Sequence, residues 1–447
     1  MPTSSHRHSD RRAHRAAVSA ALGLLLVGAA GSPAHAESTR EEQWFLDAMK
    51  AEQMWRTSTG RGITVAVIDT GVDWTNPDLK GRVLPGEDFA EDQPGDEHTD
   101  YEGHGTGMAG LIAGTGAYGG GRGAFGLAPG AKILPVRMPK DETAANEAEG
   151  ARRFNEIAPK AIRFAVDSGA QVINISLAQT ESSPHLTAAV KYALDKGALI
   201  FAGVGNDGDR ANEVMYPAAT PGVVGVAAVG KDLRATAESE HGPQVDVAAP
   251  GVDMVHACGS DTGLCETHGT SDATALASAG AALIWSAHPN WTNNQVLRVM
   301  LNTIGAPTDG AKRNDSIGYG IVRPRVALQS PADPGPADVY PLPDLKAAAP
   351  KQTSPEASES AGAGAPAKDG NSAAPASASD TGGTYWMATG IGGVVLLGAV
   401  LTAGAIARRR RTSAAPLATP ASAPGQAPYA AAPGLTPPPY TPPVPPD

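Results

Sequence analysis

The chain is poor in cysteine and in basic residues. Only two of its 447 residues are cysteine, which excludes a disulfide-rich scaffold and any zinc site built from four cysteines. Its 35 lysine and arginine residues are outnumbered by 46 aspartate and glutamate residues, whereas a general nucleic-acid-binding protein needs a basic surface to bind phosphate. An apolar fraction of 41% is sufficient for a hydrophobic core, so the chain is not disordered throughout.

The last third of the chain holds many of the 53 glycines and 38 prolines. Residues 329–384 consist mainly of proline, alanine, serine and glycine, a composition that buries too little apolar surface to fold, and they are predicted to form a flexible stalk. Residues 408–447 have a similar composition and are predicted to form a proline-rich tail. Polyproline-binding domains recognise such segments, but a solvated tail is the favoured interpretation.

Residues 1–36 have the pattern of a secretory signal peptide. Four arginines precede an apolar stretch at 16–31, and Ala34-His35-Ala36 follows as a cleavage site of the small-x-small type. The alternative, a helix of the fold, is disfavoured by the arginines and by Pro33. We therefore expect an exported protein in which residues 37–60 form an N-terminal extension.

A second apolar run, residues 386–407, contains no charged residue. At 1.5 Å per residue, a helix of this length reaches about 33 Å, enough to cross a hydrocarbon core of about 30 Å. Trp386 lies at one edge as an interfacial anchor, and four arginines at 408–411 mark the other edge as the cytoplasmic side. A buried core helix is the alternative, disfavoured by the uncharged length and the arginines. We predict one transmembrane helix in the cell membrane, an extracytoplasmic folded domain and a cytoplasmic tail.

Within residues 61–328, short apolar runs alternate with helical patterns. Runs apolar on both faces and separated by helices predict an α/β fold, with a mostly parallel sheet flanked by helices. Active sites in such sheets lie beyond the carboxyl ends of the strands. The predicted strands are 63–68, 132–136, 171–177, 198–204, 222–229 and 245–248, and the predicted helices are 104–113, 158–167, 185–196, 271–287 and 292–302.

Three residues with the chemistry of a nucleophilic site lie at predicted strand ends or helix starts. Asp69 ends the first strand, His104 opens a helix after a glycine, and Ser271 opens the long apolar helix. A serine hydroxyl is a weak nucleophile until a histidine takes its proton, and a carboxylate orients that histidine. Each residue alone would be better explained as a strand-end aspartate, a turn histidine or a capping serine.

Donors for a developing negative charge are also present. The N-terminus of the helix that begins near Ser271 supplies backbone N–H groups. Asn206 follows directly after the buried strand predicted at 198–204. We expect Asn206 and the Ser271 backbone N–H to form an oxyanion-binding site.

In this order the residues resemble the subtilisin-like serine proteases, or subtilases, whose triad runs Asp, His, Ser along the chain. The blocks that carry the resemblance are Asp69-Thr70-Gly71, His104-Gly105-Thr106, Gly205-Asn206 and Gly269-Thr270-Ser271. The resemblance extends from about residue 43 to residue 326. It implies a three-layer subtilisin-like fold and a serine endopeptidase that acts on protein or peptide substrates through an acyl-enzyme. It implies no metal and no organic cofactor.

A narrower resemblance is to the mycosins, membrane-anchored subtilases associated with type VII secretion. It rests on Gln43-Trp44-Phe45-Leu46 and on the succession of signal peptide, stalk and C-terminal span. It implies a type VII secretion membrane complex as a partner, and an N-terminal extension that wraps the catalytic domain. A function from another class stays open, namely a structural subunit of a secretion complex with little or no proteolysis.

The subtilase resemblance also implies two substrate-binding segments. Ser176-Leu177-Ala178 would pair with an extended peptide, and Ala202-Gly203-Val204 would form the opposite wall of the pocket for the side chain before the cleaved bond. The alternative for both is an ordinary core strand.

The sequence departs from the family pattern at three positions. Asp272 follows the serine, Ala275 replaces a common proline, and Gly107 replaces a common histidine. The carboxylate of Asp272 either points away from the serine or raises the basicity of His104. The two cysteines, Cys258 and Cys265, face an oxidising compartment if the protein is exported, which predicts a disulfide just before Ser271.

Three other patterns are set aside. Asp-Thr-Gly occurs three times, but an aspartic protease needs two carboxylates about 3 Å apart and one copy lies in the predicted stalk. Residues 121–126 match a dinucleotide-binding fingerprint but precede a strand instead of following one. The acidic run at 87–102 lacks the spacing of a calcium loop, so a solvated loop is favoured over a calcium site or a rim for cationic substrates.

Overall fold

The computed structural model describes residues 39–140, 144–259 and 263–348. The predicted signal peptide, residues 349–384 of the predicted stalk, the apolar run at 386–407 and the tail at 408–447 lie outside these ranges. Within the described ranges, no helix is both long and apolar enough to cross a membrane.

A parallel sheet forms the centre of the domain. Its strands are β1 (Thr64–Asp69), β2 (Glu87–Asp88), β3 (Lys132–Arg137), β4 (Val172–Ile175), β5 (Leu199–Gly203), β6 (Val224–Val229) and β7 (Val247–Pro250). They lie in the order β2-β3-β1-β4-β5-β6-β7, and every neighbouring pair is parallel. Two further strands, β8 (Met254–Ala257) and β9 (Leu264–Thr267), pair antiparallel as a separate hairpin.

The helices begin and end at residues with clear local causes. Asn146, Ser183 and Thr292 cap three of them by accepting a backbone N–H of the first turn. In chain order the helices are α1 (Thr39–Glu42), α2 (Trp44–Met49), α3 (Ala51–Trp55), α4 (His104–Ala113), α5 (Tyr118–Gly121), α6 (Glu147–Asp167), α7 (Pro184–Asp195), α8 (Thr270–Ala287), α9 (Asn293–Asn302), α10 (Pro324–Gln329) and α11 (Asp344–Ala348).

The sheet is covered on both faces, which makes three layers. Side chains alternate along a strand, so Val65 and Val67 of β1 belong to one apolar cluster, with α4 and α8. Ala66 and Ile68 belong to a second cluster on the opposite face, with α6 and α7. The predicted α/β class and parallel sheet are confirmed by this arrangement.

The N-terminal segment packs against the domain. The side chain of Gln43 is fully buried; its amide group donates to the carbonyls of Phe125 at 2.8 Å and Val255 at 2.9 Å. Its Oε1 accepts the backbone N–H of Phe125 at 2.9 Å. Beyond the partly buried Trp44, the side chains of Phe45 and Leu46 have no exposed surface. Burial of this segment therefore ties the start of the described chain to the α4 side of the sheet.

Residues 329–348, predicted as the beginning of the stalk, also lie against the domain. The guanidinium of Arg298 donates to three backbone carbonyls of this segment. Leu342 is buried, and the hydroxyl of Tyr340 donates to the carbonyl of Gly222 at 3.0 Å. Composition did not reveal this packing because the anchors are few, and because most bonds use backbone carbonyls that any sequence supplies.

Cys258 and Cys265 form a disulfide with a Cα–Cα distance of 5.8 Å. The bond joins Cys265 of β9 to the residue that directly follows β8, near the tip of the hairpin, and confirms the predicted pairing. The hairpin leads directly into α8.

Candidate active site

Asp69 and His104 meet at the carboxyl end of β1. The Asp69 side chain is fully buried, and its Oδ1 lies 2.7 Å from Nδ1 of His104, the first residue of α4. The backbone N–H of Thr70 donates to the same oxygen at 2.8 Å. A buried carboxylate at Nδ1 orients the imidazole and directs Nε2 toward other chemistry.

The close approach of α4 to β1 depends on a glycine. A Cβ on Gly105 would lie 2.2 Å from the carbonyl oxygen of Gly71 and 3.1 Å from Cβ of Asp69. The backbone N–H of Gly105 donates to Oγ1 of Thr70 at 2.9 Å, which joins the two motifs. A glycine is therefore required directly after the histidine, because any side chain there would clash with the backbone of Gly71.

Several charges act on the pKa of His104. Burial alone would lower this pKa, but the charge and hydrogen bond of Asp69, helped by the charges of Asp272 and Asp100, raise it to about 9. Negative charge around the ring stabilises the imidazolium that forms when the histidine takes a proton from a hydroxyl. The neutral, basic form of His104 is favoured as the pH rises.

Ser271 lies in the first turn of α8. It follows Gly269, whose φ of 138° is in the region that favours glycine, and where a Cβ would lie 3.2 Å from the Asn206 side chain. The Ser271 hydroxyl donates to the backbone carbonyl of Ser176 at 3.4 Å. The hydroxyl therefore lies where β4 ends, at the same edge of the sheet as Asp69.

The side chain of Asn206 is oriented by α8. Its Oδ1 accepts the backbone N–H of Thr270 at 2.9 Å. Since the oxygen is engaged, Nδ2 is the group available to donate to another oxygen. An amide donor and the N-terminus of a helix thus lie next to Ser271, an arrangement that stabilises an oxyanion.

The predicted substrate-binding residues lie beside Ser271, in two different environments. Ser176, Leu177 and Ala178 follow β4 in irregular conformation and are half-buried. The side chains of Ala202 and Val204 are fully buried in the core, so only their backbone can face a peptide. Gly203 lies against α8, since a Cβ there would come within 2.8 Å of Oγ1 of Thr270.

Comparison with known proteins identifies the family. The model of the Subtilase family matches residues 60–320, more than half of the chain. The chain belongs to the subtilase family of serine proteases. Fervidolysin of Fervidobacterium pennivorans is 33% identical over 321 residues, which cover 66% of this chain and 45% of fervidolysin. The intracellular serine protease of Paenibacillus polymyxa is 34% identical over 215 residues, 47% of this chain and 63% of that protein. The chain thus spans about half to two-thirds of the length of these relatives.

Solved structures show the same similarity. MycP1 from Mycobacterium smegmatis superimposes with a TM-score of 0.57 at 29% identity, over 67% of this chain and 87% of that one. MycP3, a protease from the type VII (ESX-3) secretion system, superimposes with a TM-score of 0.56 at 33% identity, over 64% of this chain and 87% of that one. The subtilisin-like fold is therefore shown for the described domain.

In this subtilase the residue after the serine joins a buried hydrogen-bond network. The carboxyl of Asp272 is buried and its Oδ1 accepts the Thr267 hydroxyl at 2.5 Å. The same hydroxyl lies 2.7 Å from Nε2 of His256, whose Nδ1 donates to the carbonyl of Ala257 at 2.8 Å. Asp272 therefore points into the core, and its charge is also one cause of the raised pKa of His104. Both effects expected of this carboxylate are present.

Proton counting defines the states of this network. The Thr267 hydroxyl has one hydrogen, so it donates either to Asp272 or to Nε2 of His256. Burial lowers the pKa of His256 to about 4, so the ring is neutral near pH 7. Burial also raises the pKa of Asp272 to about 6. Both contacts of the hydroxyl are satisfied when Asp272 is protonated, because the carboxyl then donates to Thr267 and Thr267 donates to His256.

Sequence reasoning missed His256. Its ring fills the space beside Gly107, where a Cβ would lie 2.6 Å from Cε1 of His256. The subtilase position that often carries histidine is thus a glycine here, and an imidazole from β8 stands against it. The signal was the departure at Gly107 combined with a histidine inside an apolar strand.

No cluster of three metal-binding side chains is found among the residues that the structure describes. In the acidic run, the Asp100 carboxylate accepts from Thr70 and Thr106, and Asp88 pairs with the buried Arg137 at 3.2 Å. These carboxylates support the loop that precedes α4.

Proposed function

We propose that this protein is a serine endopeptidase in which Ser271, His104 and Asp69 form the catalytic triad. The observation that carries the proposal is the 2.7 Å contact between the buried Asp69 carboxylate and Nδ1 of His104, at the strand edge where the Ser271 hydroxyl also lies. Membership of the subtilase family supports the same assignment.

The reaction follows from the roles of these groups. Nε2 of His104 takes the hydroxyl proton of Ser271 as the oxygen attacks the peptide carbonyl, and Asp69 stabilises the imidazolium. Nδ2 of Asn206 and the Ser271 backbone N–H hold the carbonyl oxygen as it becomes negative. His104 then protonates the leaving amine, and water, activated in the same way, hydrolyses the acyl-enzyme.

The peptide substrate binds as an extended strand between the two segments beside Ser271. Ser176-Leu177-Ala178 continues beyond the paired residues of β4, and none of the three belongs to a strand pair among the described residues, so their backbone groups are available to a substrate. Of Ala202-Gly203-Val204, the last two residues lie beyond the β4–β5 pairing, which ends at Ala202, and their backbone lines the other side. No metal or organic cofactor takes part in this chemistry.

We further propose that the protein is exported, anchored in the cell membrane by the run at 386–407, and linked to type VII secretion. Support comes from the uncharged run with its flanking arginines and from the similarity to MycP1 and MycP3. MycP1 is itself described as an essential component of the type VII (ESX-1) secretion system. The same similarity supports the second candidate, a structural subunit of such a complex.

A fluorophosphonate probe tests the serine chemistry. The full-length protein in detergent is expected to be labelled, Ser271→Ala is expected to lose the label, and Ser286→Ala, at the far end of α8, is expected to keep it. Labelling of Ser271→Ala, or no labelling of a folded wild type, would contradict the proposed triad.

Secretion assays with Ser271→Ala separate the peptidase from the structural subunit, because a structural subunit supports secretion without its serine hydroxyl.

A further inference from the structure

The buried carboxylate of Glu240 lies against Gly205, the residue before the proposed oxyanion donor Asn206. Glu240 is 1% exposed, and its backbone N–H donates to the carbonyl of Gly205 at 3.1 Å. A Cβ on Gly205 would lie 2.4 Å from the Glu240 carboxylate. Oε2 of Glu240 has no hydrogen-bond partner among the described residues. A buried, unpartnered carboxylate oxygen is costly, so a function for it is expected.

Glu240 lines a cavity of about 440 Å³, and the other charged lining residues among those that the structure describes are all acidic. They are Glu147, Glu181, Asp207 and Glu213. Asp207 pairs with Arg210, which is itself 71% exposed at the surface. Among the described residues, no basic side chain forms an ion pair with Glu240 or Glu213. Apart from Asp207, the acidic lining residues therefore form no ion pair with a basic side chain of the described residues.

The cavity continues the two segments that flank the nucleophile. On one side, Gln179 lies directly beyond Ser176-Leu177-Ala178, and Ser176 accepts the Ser271 hydroxyl. On the other side, Asp207 directly follows Asn206. A peptide held between these segments, with its carbonyl oxygen at Asn206, would direct the side chain before the cleaved bond into this cavity.

The chemistry of the lining selects one kind of side chain. Burial raises the pKa of Glu240 to about 7, and the charges of Asp207 and Glu213 add to this effect. A cation in the cavity would lower the pKa of Glu240 and supply a hydrogen-bond partner to its Oε2. Met215 and Ala148 provide an apolar wall for an aliphatic stem. Within the described chain the acidic groups do not converge as a metal site, which favours an organic cation.

We infer that this cavity binds the side chain of a lysine or arginine immediately before the cleaved bond, with the Glu240 carboxylate as its buried partner. This inference rests on the proposed endopeptidase function of Ser271. Asp207 and Glu213, which are exposed, attract the cation at the entrance, and Glu240 pairs with it inside.

Peptide pairs matched in shape test the preference. Substrates that differ only in the residue before the cleaved bond are compared on the full-length protein, arginine against citrulline and lysine against norleucine. The charged member is expected to have a kcat/KM at least about tenfold higher. Equal or better cleavage of the neutral members would overturn the inference.

Variants locate the effect in Glu240. Glu240→Gln is expected to reduce the charged-to-neutral ratio toward one, whereas Glu238→Gln, the same change two residues away and outside the cavity, is expected to keep it. Titration with the fluorophosphonate probe corrects each kcat/KM for the fraction of active protein. An unchanged ratio in Glu240→Gln would remove Glu240 from the assignment.

A binding measurement separates this inference from the proposed function. Ser271→Ala full-length protein is titrated calorimetrically with n-butylguanidinium, and with n-butylurea as the neutral control. Saturable millimolar binding of the cation alone, lost in the Ser271→Ala/Glu240→Gln double variant, is expected. Such binding, together with a folded wild-type protein that cleaves no peptide, would retain the cation site and reject the peptidase. Absence of saturable binding would overturn the cation site even if the peptidase is active.

Discussion

Opposing effects act on the pKa of the Asp272 carboxyl. Burial raises its pKa to about 6, while the hydrogen bond from Thr267 and the positive charge of His104 lower it. The reciprocal effect is that ionised Asp272 raises the pKa of His104. Asp272 therefore adds negative charge near His104 of the proposed triad at neutral pH, although its own side chain is buried.

Replacement of Asp272 by asparagine is expected to move the acid limb of the kcat/KM–pH profile to lower pH. Asparagine retains an oxygen that accepts the Thr267 hydroxyl, but it removes a charge that favours the protonated form of His104, so His104 becomes a free base at lower pH. The measurement is the profile of both proteins on one peptide. Asp195→Asn, an exposed change on α7, serves as the control. A midpoint that stays or rises would contradict the coupling.

The residues of the proposed triad could be singled out from the sequence because each occurs in a short block whose neighbours explain its position. Asp69 ends a strand, and Gly105 and Gly269 permit the contacts that place His104 and Ser271. Glu240 and His256 occur in no such block. Their importance arises from what folding places beside them, the cavity next to Asn206 and the space beside Gly107, and neither can be read along the chain.

The same distinction applies to secondary structure elements. All six predicted strands exist with shifted ends. Short apolar runs that alternate with helical patterns are typical of strands buried on both faces, which is why the sequence indicated them. The β8–β9 hairpin was missed because His256 interrupts β8 and β9 is only partly buried. Helix α6 begins at Glu147, whereas the predicted helix began at residue 158. The prediction missed the first turns because they are mostly polar on one face.

Helix α4 packs against this hairpin through Gly107 and His256. The 2.6 Å approach that a Cβ at residue 107 would make leaves no room for alanine unless the imidazole moves. The imidazole is fixed at both nitrogens, by Ala257 and by Thr267. The Gly107–His256 contact therefore helps to orient α4, and with it His104, together with a second close approach of Gly110 to Ala257.

Gly107→Ala is expected to lower the free energy of unfolding by about 1–3 kcal/mol, through overpacking against His256. In the His256→Ala background the same change is expected to cost much less, because the obstructing ring is gone. Denaturant unfolding of the four proteins gives the coupling. Gly259→Ala, at a position with open space, is the matched control. Equal costs in the two backgrounds would show that the clash is relieved elsewhere.

For the whole molecule, several buried groups make stability depend on pH. The pKa of Glu240 and that of Asp246 are each raised to about 7, chiefly by burial, and the pKa of His104 is raised to about 9. Each of these groups holds its proton more tightly in the folded state, so its contribution is lost as the pH rises through the folded-state pKa. His256 has the opposite sign, since its depressed pKa lowers stability as the pH falls from 6.5 toward 4.

Above pH 6.5 all of the raised groups act in one direction, so the melting temperature is expected to fall steadily from pH 6.5 to 9. Asp246→Asn is expected to remove at most about 1.4 kcal/mol per pH unit of this dependence up to pH 7, since the asparagine oxygen still accepts the Gly225 N–H. Full-length Ser271→Ala protein, at constant ionic strength, avoids self-cleavage during the measurement. A melting temperature that rises toward pH 9 would contradict the raised pKa of His104, the group among these that still loses its proton above pH 7.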